Sequence, residues 1–123
     1  MLFRSGLEEA IKEIEEVRNE FWKDVKVPDD TNEMNIELEK VLRVADFLEL
    51  GQLMAIDALN RNESCGGHYR EEYSTEEGEA KRDDEHYKYA AVWEYKGKDI
   101  NSEVMHKEEL IYENIEVKTR SYK

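Results

Sequence analysis

The residues best suited to chemistry in this sequence lie between Glu63 and Tyr73, in the stretch ESCGGHYREEY. Cys65, His68 and Arg70 surround two adjacent glycines, which can adopt positive φ and turn the chain sharply. A cysteine close to a histidine can form a nucleophilic pair, because a nearby cation favours the reactive thiolate. The negative end of a preceding helix opposes that thiolate, and no acid is singled out to orient the histidine. We therefore predict no catalytic residue in this stretch.

The motifs predict neither a cofactor site nor a metal site. The two glycines are not followed by the third glycine of a dinucleotide fingerprint, and the sequence has no P-loop. Cys65 and His68 are close in sequence, but His86 and His106 are distant and there is no second cysteine. A zinc site usually takes at least three such ligands. We expect this chain to bind neither a metal ion nor a cofactor.

The composition excludes several classes of partner. The 123 residues include 18 Lys and Arg against 31 Asp and Glu, which gives a formal net charge of −13. This acidity argues against nucleic acid and against an anionic membrane surface, since both attract a basic face. The single cysteine cannot form an internal disulfide, and neither a membrane-spanning run nor a signal peptide is recognisable. We expect one compact cytoplasmic domain without direct membrane contact.

An amphipathic first helix is predicted from about Gly6 to Asp24. Ser5 and Glu8 have the spacing of a capping box, in which each side chain satisfies the backbone amide of the other residue. Apolar residues then recur at steps of three and four on one face: Leu7, Ala10, Ile11, Ile14, Val17, Phe21 and Val25. A loop follows around Pro28, because proline lacks an amide hydrogen and restrains the residues before it.

A second helix, predicted from about Asn35 to Asn62, is apolar on two sides. One stripe consists of Leu38, Val41, Leu42, Ala45, Leu48, Leu53, Ile56 and Leu59. The other consists of Val44, Phe47, Leu50, Met54 and Ala58. The first helix can cover only one stripe, so a further helix or another subunit should cover the second. In isolation the chain should therefore self-associate as a dimer through Val44, Phe47, Leu50 and Met54.

The simplest interpretation of the glycine pair is that Gly66 or Gly67 is the C′ residue ending this second helix. Residues 71–84 are mostly charged and predict a surface loop. Tyr87, Tyr89, Ala91, Trp93 and Tyr95 then alternate with other residues up to Lys96, which predicts a half-buried strand. Residues 96–99 form the predicted turn, and the return strand uses either residues 104–107 or residues 110–117.

The fold class is therefore predicted to be mainly α. An antiparallel helical hairpin, or partial three-helix bundle of the spectrin-like type, should occupy residues 1–70. A surface loop, a small C-terminal β-hairpin and an extended tail should occupy residues 71–123, within the same domain.

The glycine-containing segment also carries a family resemblance. The pattern ES-x-G-x-HYRE, with an aromatic at Tyr73 and RDDE from Arg82, resembles the C-terminal region of the succinate dehydrogenase/fumarate reductase flavoprotein subunit. Residues 35–60 (NIELEKVLRVADFLELGQLMAIDALN) resemble the long helix of that region, and residues 6–27 resemble the preceding helix with its Val-Pro exit. The C-terminal residues 120–122 are similar to the Arg-x-Tyr ending of these subunits. The likeness covers nearly the whole chain in order.

Two positions depart from the family pattern, which usually has an arginine in place of Cys65 and commonly an alanine in place of Gly67. The Cys-Gly-Gly form and the hairpin at residues 93–97 are most similar to the branch found in some anaerobic and related bacteria. L-Aspartate oxidase shares the Glu-Ser-x-Gly-x-His segment and is the nearest relative to exclude. The hairpin and the Arg-x-Tyr ending favour the succinate and fumarate enzymes.

The resemblance implies a parent subunit that binds FAD and moves hydride between the flavin and the succinate/fumarate pair. The family's flavin and dicarboxylate motifs lie in other domains, so the resemblance places no catalytic residue here and implies that this domain alone is inactive. The implied partners are the flavin-binding domain of the parent and, through it, an iron–sulfur subunit. The implied location is the cytoplasm or the cytoplasmic face of the inner membrane.

Glu63, His68 and Arg70 are the candidate residues for docking to the flavin domain, through charges and hydrogen bonds. The alternative is that His68 and Arg70 cap the preceding helix, near the negative end of its dipole. A different functional class also stays open, namely a free-standing acidic module whose exposed helix face recruits a partner helix.

Overall fold

The computed structural model describes residues 2–28, 34–97, 102–119 and 121. In chain order the elements are helix α1 (Arg4–Asp24), helix α2 (Ile36–Asn60), a 3-10 turn (Glu71–Tyr73), strand β1 (Tyr89–Glu94) and strand β2 (Val104–Glu109). The predicted fold class, mainly α with a C-terminal β-hairpin, is confirmed. Over these ranges no helix is long and apolar enough to cross a membrane. The division of the domain at residue 70 stays a prediction.

Helix α1 begins earlier than predicted, and the predicted capping box is wrong. The N-cap residue is Phe3, while Ser5 and Glu8 lie within the helix. The amide of Arg4 donates instead to the carboxylate of Glu72, which the 3-10 turn brings to the helix end. A carboxylate is favourable there because the free amides of a helix N-terminus carry partial positive charge. A residue distant in sequence thus replaces the local cap.

The two helices pack antiparallel through a polar contact. Nη2 of Arg18 lies 3.2 Å from Oε2 of Glu49, and Nη1 lies 3.5 Å from Oε1 of Gln52. The side-chain amide of Gln52 also donates to the carbonyl of Ile11 at 3.5 Å. These partners are needed, because a buried amide without a hydrogen bond costs about 1–3 kcal/mol. The buried apolar residues of the two helices are Leu7 and Ala55.

Helix α2 has nearly its predicted bounds, but the prediction that Gly66 or Gly67 is its C′ residue is wrong. The helix ends at Asn60, and its C-cap is Arg61 in an extended conformation. Gly66 does have a positive φ, of 59°, but it uses this conformation in a later turn. The last carbonyls of the helix are satisfied by a side chain, that of Arg70, rather than by a glycine turn.

Helix α1 covers one side of α2 and leaves the second apolar stripe exposed, together with Leu38 and Leu42 of the first stripe. Gln52 and Ala55 are buried on the covered side. On the other side Phe47 is 64% exposed and Met54 is 63% exposed. Nothing in the described part of the chain shields this side, so the expectation that a further helix or another subunit covers it stays a prediction. We call the exposed face the open stripe; its large residues are Val44, Phe47, Leu50 and Met54.

Strands β1 and β2 form a two-stranded antiparallel sheet, in which Tyr89 pairs with Glu109 and Glu94 with Val104. Strand β1 is the centre of the predicted alternating segment. The return strand matches the first of the two predicted alternatives, while residues 110–117 are irregular. Of the predicted turn at residues 96–99, positions 98 and 99 lie outside the described residues, as do positions 120, 122 and 123 of the predicted tail.

The hairpin is attached to α2 through the side chain of Trp93. Its indole Nε1 donates to Oδ1 of Asp57 at 2.8 Å. A two-stranded hairpin is marginally stable by itself in water, so contacts with the helices must hold it in place. The Trp93–Asp57 hydrogen bond is one such contact, and it joins the C-terminal end of β1 to the last turn of α2.

We predict that Trp93→Phe weakens the attachment of the hairpin. The substitution keeps an aromatic ring but removes a hydrogen bond to a charged group, worth about 1.5–3 kcal/mol. Urea unfolding followed by circular dichroism should show a loss of that order. The control Tyr95→Phe, at an exposed aromatic of the same hairpin, should change stability by less than about 0.5 kcal/mol. Equal stabilities of the two variants would contradict the attachment.

Candidate functional site

Residues 65–68 form a closed turn after the end of α2, here called the 65–68 turn. The amide of Cys65 donates to the carbonyl of His68 at 2.8 Å, and the amide of His68 donates to the carbonyl of Cys65 at 3.1 Å. Gly66, with φ of 59°, lies in the left-handed region that residues with a Cβ rarely adopt. Gly67 is exposed. The turn therefore requires a glycine at position 66 and presents position 67 to its surroundings.

Arg70 closes the C-terminal end of α2. Its side chain is only 1% exposed. Nη1 donates to the carbonyls of Leu59 and Arg61 at 3.2 and 3.3 Å, and to Oδ1 of Asn62 at 2.9 Å. The last carbonyls of a helix have no partner within the helix and carry partial negative charge, so a guanidinium meets both needs. Nε of Arg70 lies 3.5 Å from Oε2 of Glu72. The capping role considered for Arg70 is thus present in the structure.

Glu63 and Ser64 bury their polar side chains next to Arg70. The hydroxyl of Ser64 accepts from the amide of Arg70 at 2.9 Å and donates to its carbonyl at 3.1 Å. Oε1 of Glu63 lies 2.6 Å from Nη1 of Arg61, and Oε2 accepts from the amide of Asp83 at 2.9 Å. Both carboxylate oxygens of Glu63 are therefore paired, which is the condition for burying a charge.

His68 is half-buried, and its Nε2 lies 3.1 Å from the carbonyl of Arg61, which places the proton on Nε2. The side chain of Arg61 reaches strand β1. It donates to the carbonyls of Tyr87 and Tyr89 at 3.1 and 3.0 Å, and its guanidinium lies over both aromatic rings. Arg61 therefore links the end of α2, the 65–68 turn and the hairpin.

Glu72 joins the same segment to the beginning of α1. Its carboxylate accepts from the amide of Arg4 and lies near the guanidinium of Arg70. The hydrogen bond from the Arg4 amide, with smaller contributions from Arg70, holds the pKa of Glu72 below its ordinary value of 4.5. Leu2 pairs with Arg70 as an isolated parallel β-bridge. The first residues of the chain are thus tied directly to the loop that follows α2.

An open groove of about 790 Å³ lies beside the 65–68 turn. Helices α1 and α2, the turn and strand β1 all contribute to its walls. Large apolar surfaces of this kind are typical of sites where another segment or molecule binds. The lining residues used below are Leu2, Leu50, Met54, Gly67, His68 and Trp93.

Among the described residues, no group of three or more His, Cys, Asp or Glu side chains could hold a metal ion. Nδ1 of His86 lies 3.0 Å from Oδ1 of Asp83, and Nε2 of His106 lies 2.8 Å from Oε2 of Glu94. Both pairs lie on the surface. The hydrogen bond that His86 donates to the carboxylate of Asp83 raises the pKa of His86 above its ordinary 6.5. These histidines therefore belong to polar pairs on the surface.

The structure brings Glu63, His68 and Arg70 together around the end of α2. Glu63 and Arg70 are buried within the domain, whereas His68 lines the open groove. Sequence reasoning missed the roles of Gln52 and Arg61. Gln52 offered a signal, because a polar residue at a buried helical position predicts a buried hydrogen-bond partner. The strand partners of Arg61, Tyr87 and Tyr89, lie more than twenty positions away, and no local pattern indicated them.

Comparison with known proteins identifies the family of this domain. The family model described as fumarate reductase flavoprotein C-term matches residues 2–122. The chain belongs to this family. Among solved structures it is similar to FrdA of E. coli quinol fumarate reductase, in a mutant form, with a TM-score of 0.73 and 22% sequence identity. That match covers 94% of this chain and 19% of FrdA, and at this identity it shows the fold alone.

The family resemblance carried by the ES-x-G-x-HYRE pattern is therefore confirmed. This chain is a C-terminal domain of the succinate dehydrogenase/fumarate reductase flavoprotein family, and it spans about a fifth of the length of FrdA. The matches do not favour the alternatives, a free-standing acidic interaction module or the equivalent domain of L-aspartate oxidase.

We predict that Arg70→Met strongly destabilises the domain. The substitution leaves the carbonyls at the end of α2 without their buried partner, which should cost about 2–3 kcal/mol. The control is Arg43→Met, which breaks an exposed ion pair with Glu39 and should cost at most about 0.5 kcal/mol. Urea unfolding of both variants measures the difference. A small effect at Arg70 would show that the helix end is satisfied without it.

A pH prediction follows from Glu72. Because its folded-state pKa is lowered, its contribution to stability is fully present above about pH 4.5 and is lost as pH falls through the lowered value. Glu72→Gln should therefore flatten the acid side of the stability profile between pH 5 and pH 3. Thermal unfolding across that range measures it, with Glu71→Gln as the adjacent control. A wild-type-like acid profile in Glu72→Gln would be contrary to this assignment.

Proposed function

We propose that this domain supports a flavoprotein subunit that interconverts succinate and fumarate with FAD, by packing on the flavin-binding domain rather than by catalysis. The observation that carries the proposal is the family match over residues 2–122. The polar residues of the ES-x-G-x-HYRE pattern hold the loop after α2 in one conformation. Glu63, Ser64 and Arg70 each make hydrogen bonds to other residues of this domain. By itself the domain is proposed to be inactive.

The 65–68 turn and the open groove beside it are the proposed docking site. Gly67 is exposed and His68 is half-buried, and both line the groove, so they are placed to meet a partner. Glu63 and Arg70 are buried and act indirectly, since their hydrogen bonds fix the segment that presents the turn. The docking role predicted for the three residues thus divides into one contact residue, His68, and two positioning residues.

The apolar character of the groove supports a permanent intramolecular contact over a transient one. Leu50, Met54 and Trp93 present apolar surface there, and burying such surface stabilises an interface by roughly 25 cal/mol per Å². The flavin-binding domain would be the direct partner, and an iron–sulfur subunit would be reached through it. The proposed location is the cytoplasm or the cytoplasmic face of the inner membrane. The isolated chain is proposed to self-associate through the open stripe.

The docking proposal predicts that Gly67→Glu harms the parent but not the domain. No atom in the described part of the chain lies within 4 Å of a Cβ built at Gly67, and its φ is not in the left-handed region. The isolated domain should therefore keep its melting temperature. In the full-length flavoprotein subunit, the added carboxylate would be forced into the docking contact and left without a partner. FAD retention and succinate oxidation should both fall at least about tenfold, because a charge that is buried at an interface without a partner weakens the interface by that much or more.

The matched control is Ala80→Glu, which adds the same carboxylate at an exposed position of the 71–84 loop. It should leave flavin content and activity at the level of the unmodified subunit. Full flavin content and full activity in Gly67→Glu would reject the turn as the docking site. Destabilisation of the isolated domain by Gly67→Glu would show instead that the position is needed for folding.

A further inference from the structure

The outer edge of strand β1, on the side away from β2, is open beside the groove. The amide of Leu110 donates to the carbonyl of Lys88 at 3.2 Å, one residue before the first pair of the sheet. In an antiparallel sheet, residues that exchange hydrogen bonds with the partner strand alternate with residues whose amide and carbonyl point away from it. Lys88 is of the first kind, so Tyr89, Ala91 and Trp93 are of the second.

The side chain of Arg61 covers the first part of this outer edge. Its guanidinium donates to the carbonyls of Tyr87 and Tyr89 at 3.1 and 3.0 Å, and the amide of Tyr89 donates to the carbonyl of Tyr87 at 2.8 Å. The cover ends there. In the described part of the chain, the backbone amides and carbonyls of Ala91 and Trp93 have no hydrogen-bond partner.

The unpaired backbone groups lie at the wall of the open groove. Ala91 and Trp93 both line it, and each is half-buried. Their amides and carbonyls repeat at about 7 Å along the strand. A partner that covered the groove without backbone hydrogen bonds would leave these four groups buried and unpaired, which is unfavourable. The side of an α-helix has no free backbone groups to offer, whereas an extended segment presents amides and carbonyls at the same spacing.

We infer that the segment that docks in the open groove is an extended strand, which pairs with the outer edge of β1 at Ala91 and Trp93. This rests on the docking proposed above and specifies the conformation of the segment that the flavin-binding domain contributes. Its main chain binds the free amides and carbonyls of β1, and its alternate side chains are apolar and enter the groove. The two-stranded hairpin, marginal by itself, becomes part of a three-stranded sheet.

Hydrogen–deuterium exchange, resolved to single amides, tests this inference in the 123-residue chain and in the full-length flavoprotein subunit. The amides of Ala91 and Trp93 should exchange at least about tenfold more slowly in the full-length subunit, because they become hydrogen-bonded there. The amide of Lys107, on the outer edge of β2, is the internal control and should keep its rate. Unchanged rates at Ala91 and Trp93, or an equal slowing of Lys107, would overturn the inference. Slow exchange already in the 123-residue chain would also overturn it, because the edge would then be covered by this chain or by a second copy.

Two matched proline substitutions separate strand pairing from docking in general. Ala91 and Lys107 lie directly opposite each other, so Ala91→Pro and Lys107→Pro each remove one outward amide from one edge of the same hairpin. Proline is tolerated at such edge positions, because its missing amide hydrogen is not part of the ladder. In the full-length subunit, Ala91→Pro should lower FAD retention and succinate oxidation at least about tenfold, and Lys107→Pro less than about twofold.

The outcomes distinguish this inference from the docking proposal on which it rests. Equal effects of the two proline variants, whether small or large, would overturn the pairing with β1. If Gly67→Glu impairs the subunit and Ala91→Pro does not, docking at the 65–68 turn stands and the strand pairing falls. If neither variant impairs it, both fall. Should circular dichroism show that Ala91→Pro unfolds the 123-residue chain, the exchange rates of the unmodified proteins decide.

Discussion

The guanidinium of Arg70 at the end of α2 is the contact on which the rest of this domain depends. It binds two carbonyls and a side-chain amide oxygen near the helix end, and its own backbone is held by the hydroxyl of Ser64. The loop from residue 61 to residue 70 is fixed as a consequence. Arg70 also bridges to Leu2 and pairs with Glu72, which caps α1. One buried side chain thus connects the end of one helix to the start of the other.

This dependence on polar contacts reflects how little apolar surface the chain buries by itself. The buried hydrophobic residues are few, and the largest fully buried side chains in the described part of the chain are Arg70, Gln52 and Ser64. Buried polar groups stabilise a fold only when each has its partner, since an unpaired one costs more than a made hydrogen bond contributes. Such a network specifies one geometry of the loop. The apolar surface that would add stability lies instead on the open stripe and in the open groove, where another surface can use it.

Periodicity was sufficient to predict both helices, the first strand and the apolar excess of α2. The 3.6-residue repeat of α2 extends over 25 residues, and a pattern of that length depends little on tertiary context. The predicted caps were wrong because their replacements come from far along the chain. Glu72 caps α1, and Arg70 closes α2, so neither Ser5 nor Gly66 is needed in the role that local rules assign to it. A sequence window shows which helix ends need partners but not which distant residue supplies them.

Burial distinguishes the structural environments of the histidine and the arginine of the ES-x-G-x-HYRE pattern. Arg70 is 1% exposed, and its Nη1 is committed to three acceptors within the domain. Its Nε is buried and makes no hydrogen bond in the described part of the chain. Arg70 can therefore influence a partner only through the geometry it imposes. Nε2 of His68 is hydrogen-bonded to the carbonyl of Arg61, and the side chain lines the open groove. Capping by Arg70 is therefore compatible with the proposed docking through His68. The buried arginine fixes the loop, the fixed loop presents the turn, and the groove beside that turn carries the apolar surface that a larger protein would cover.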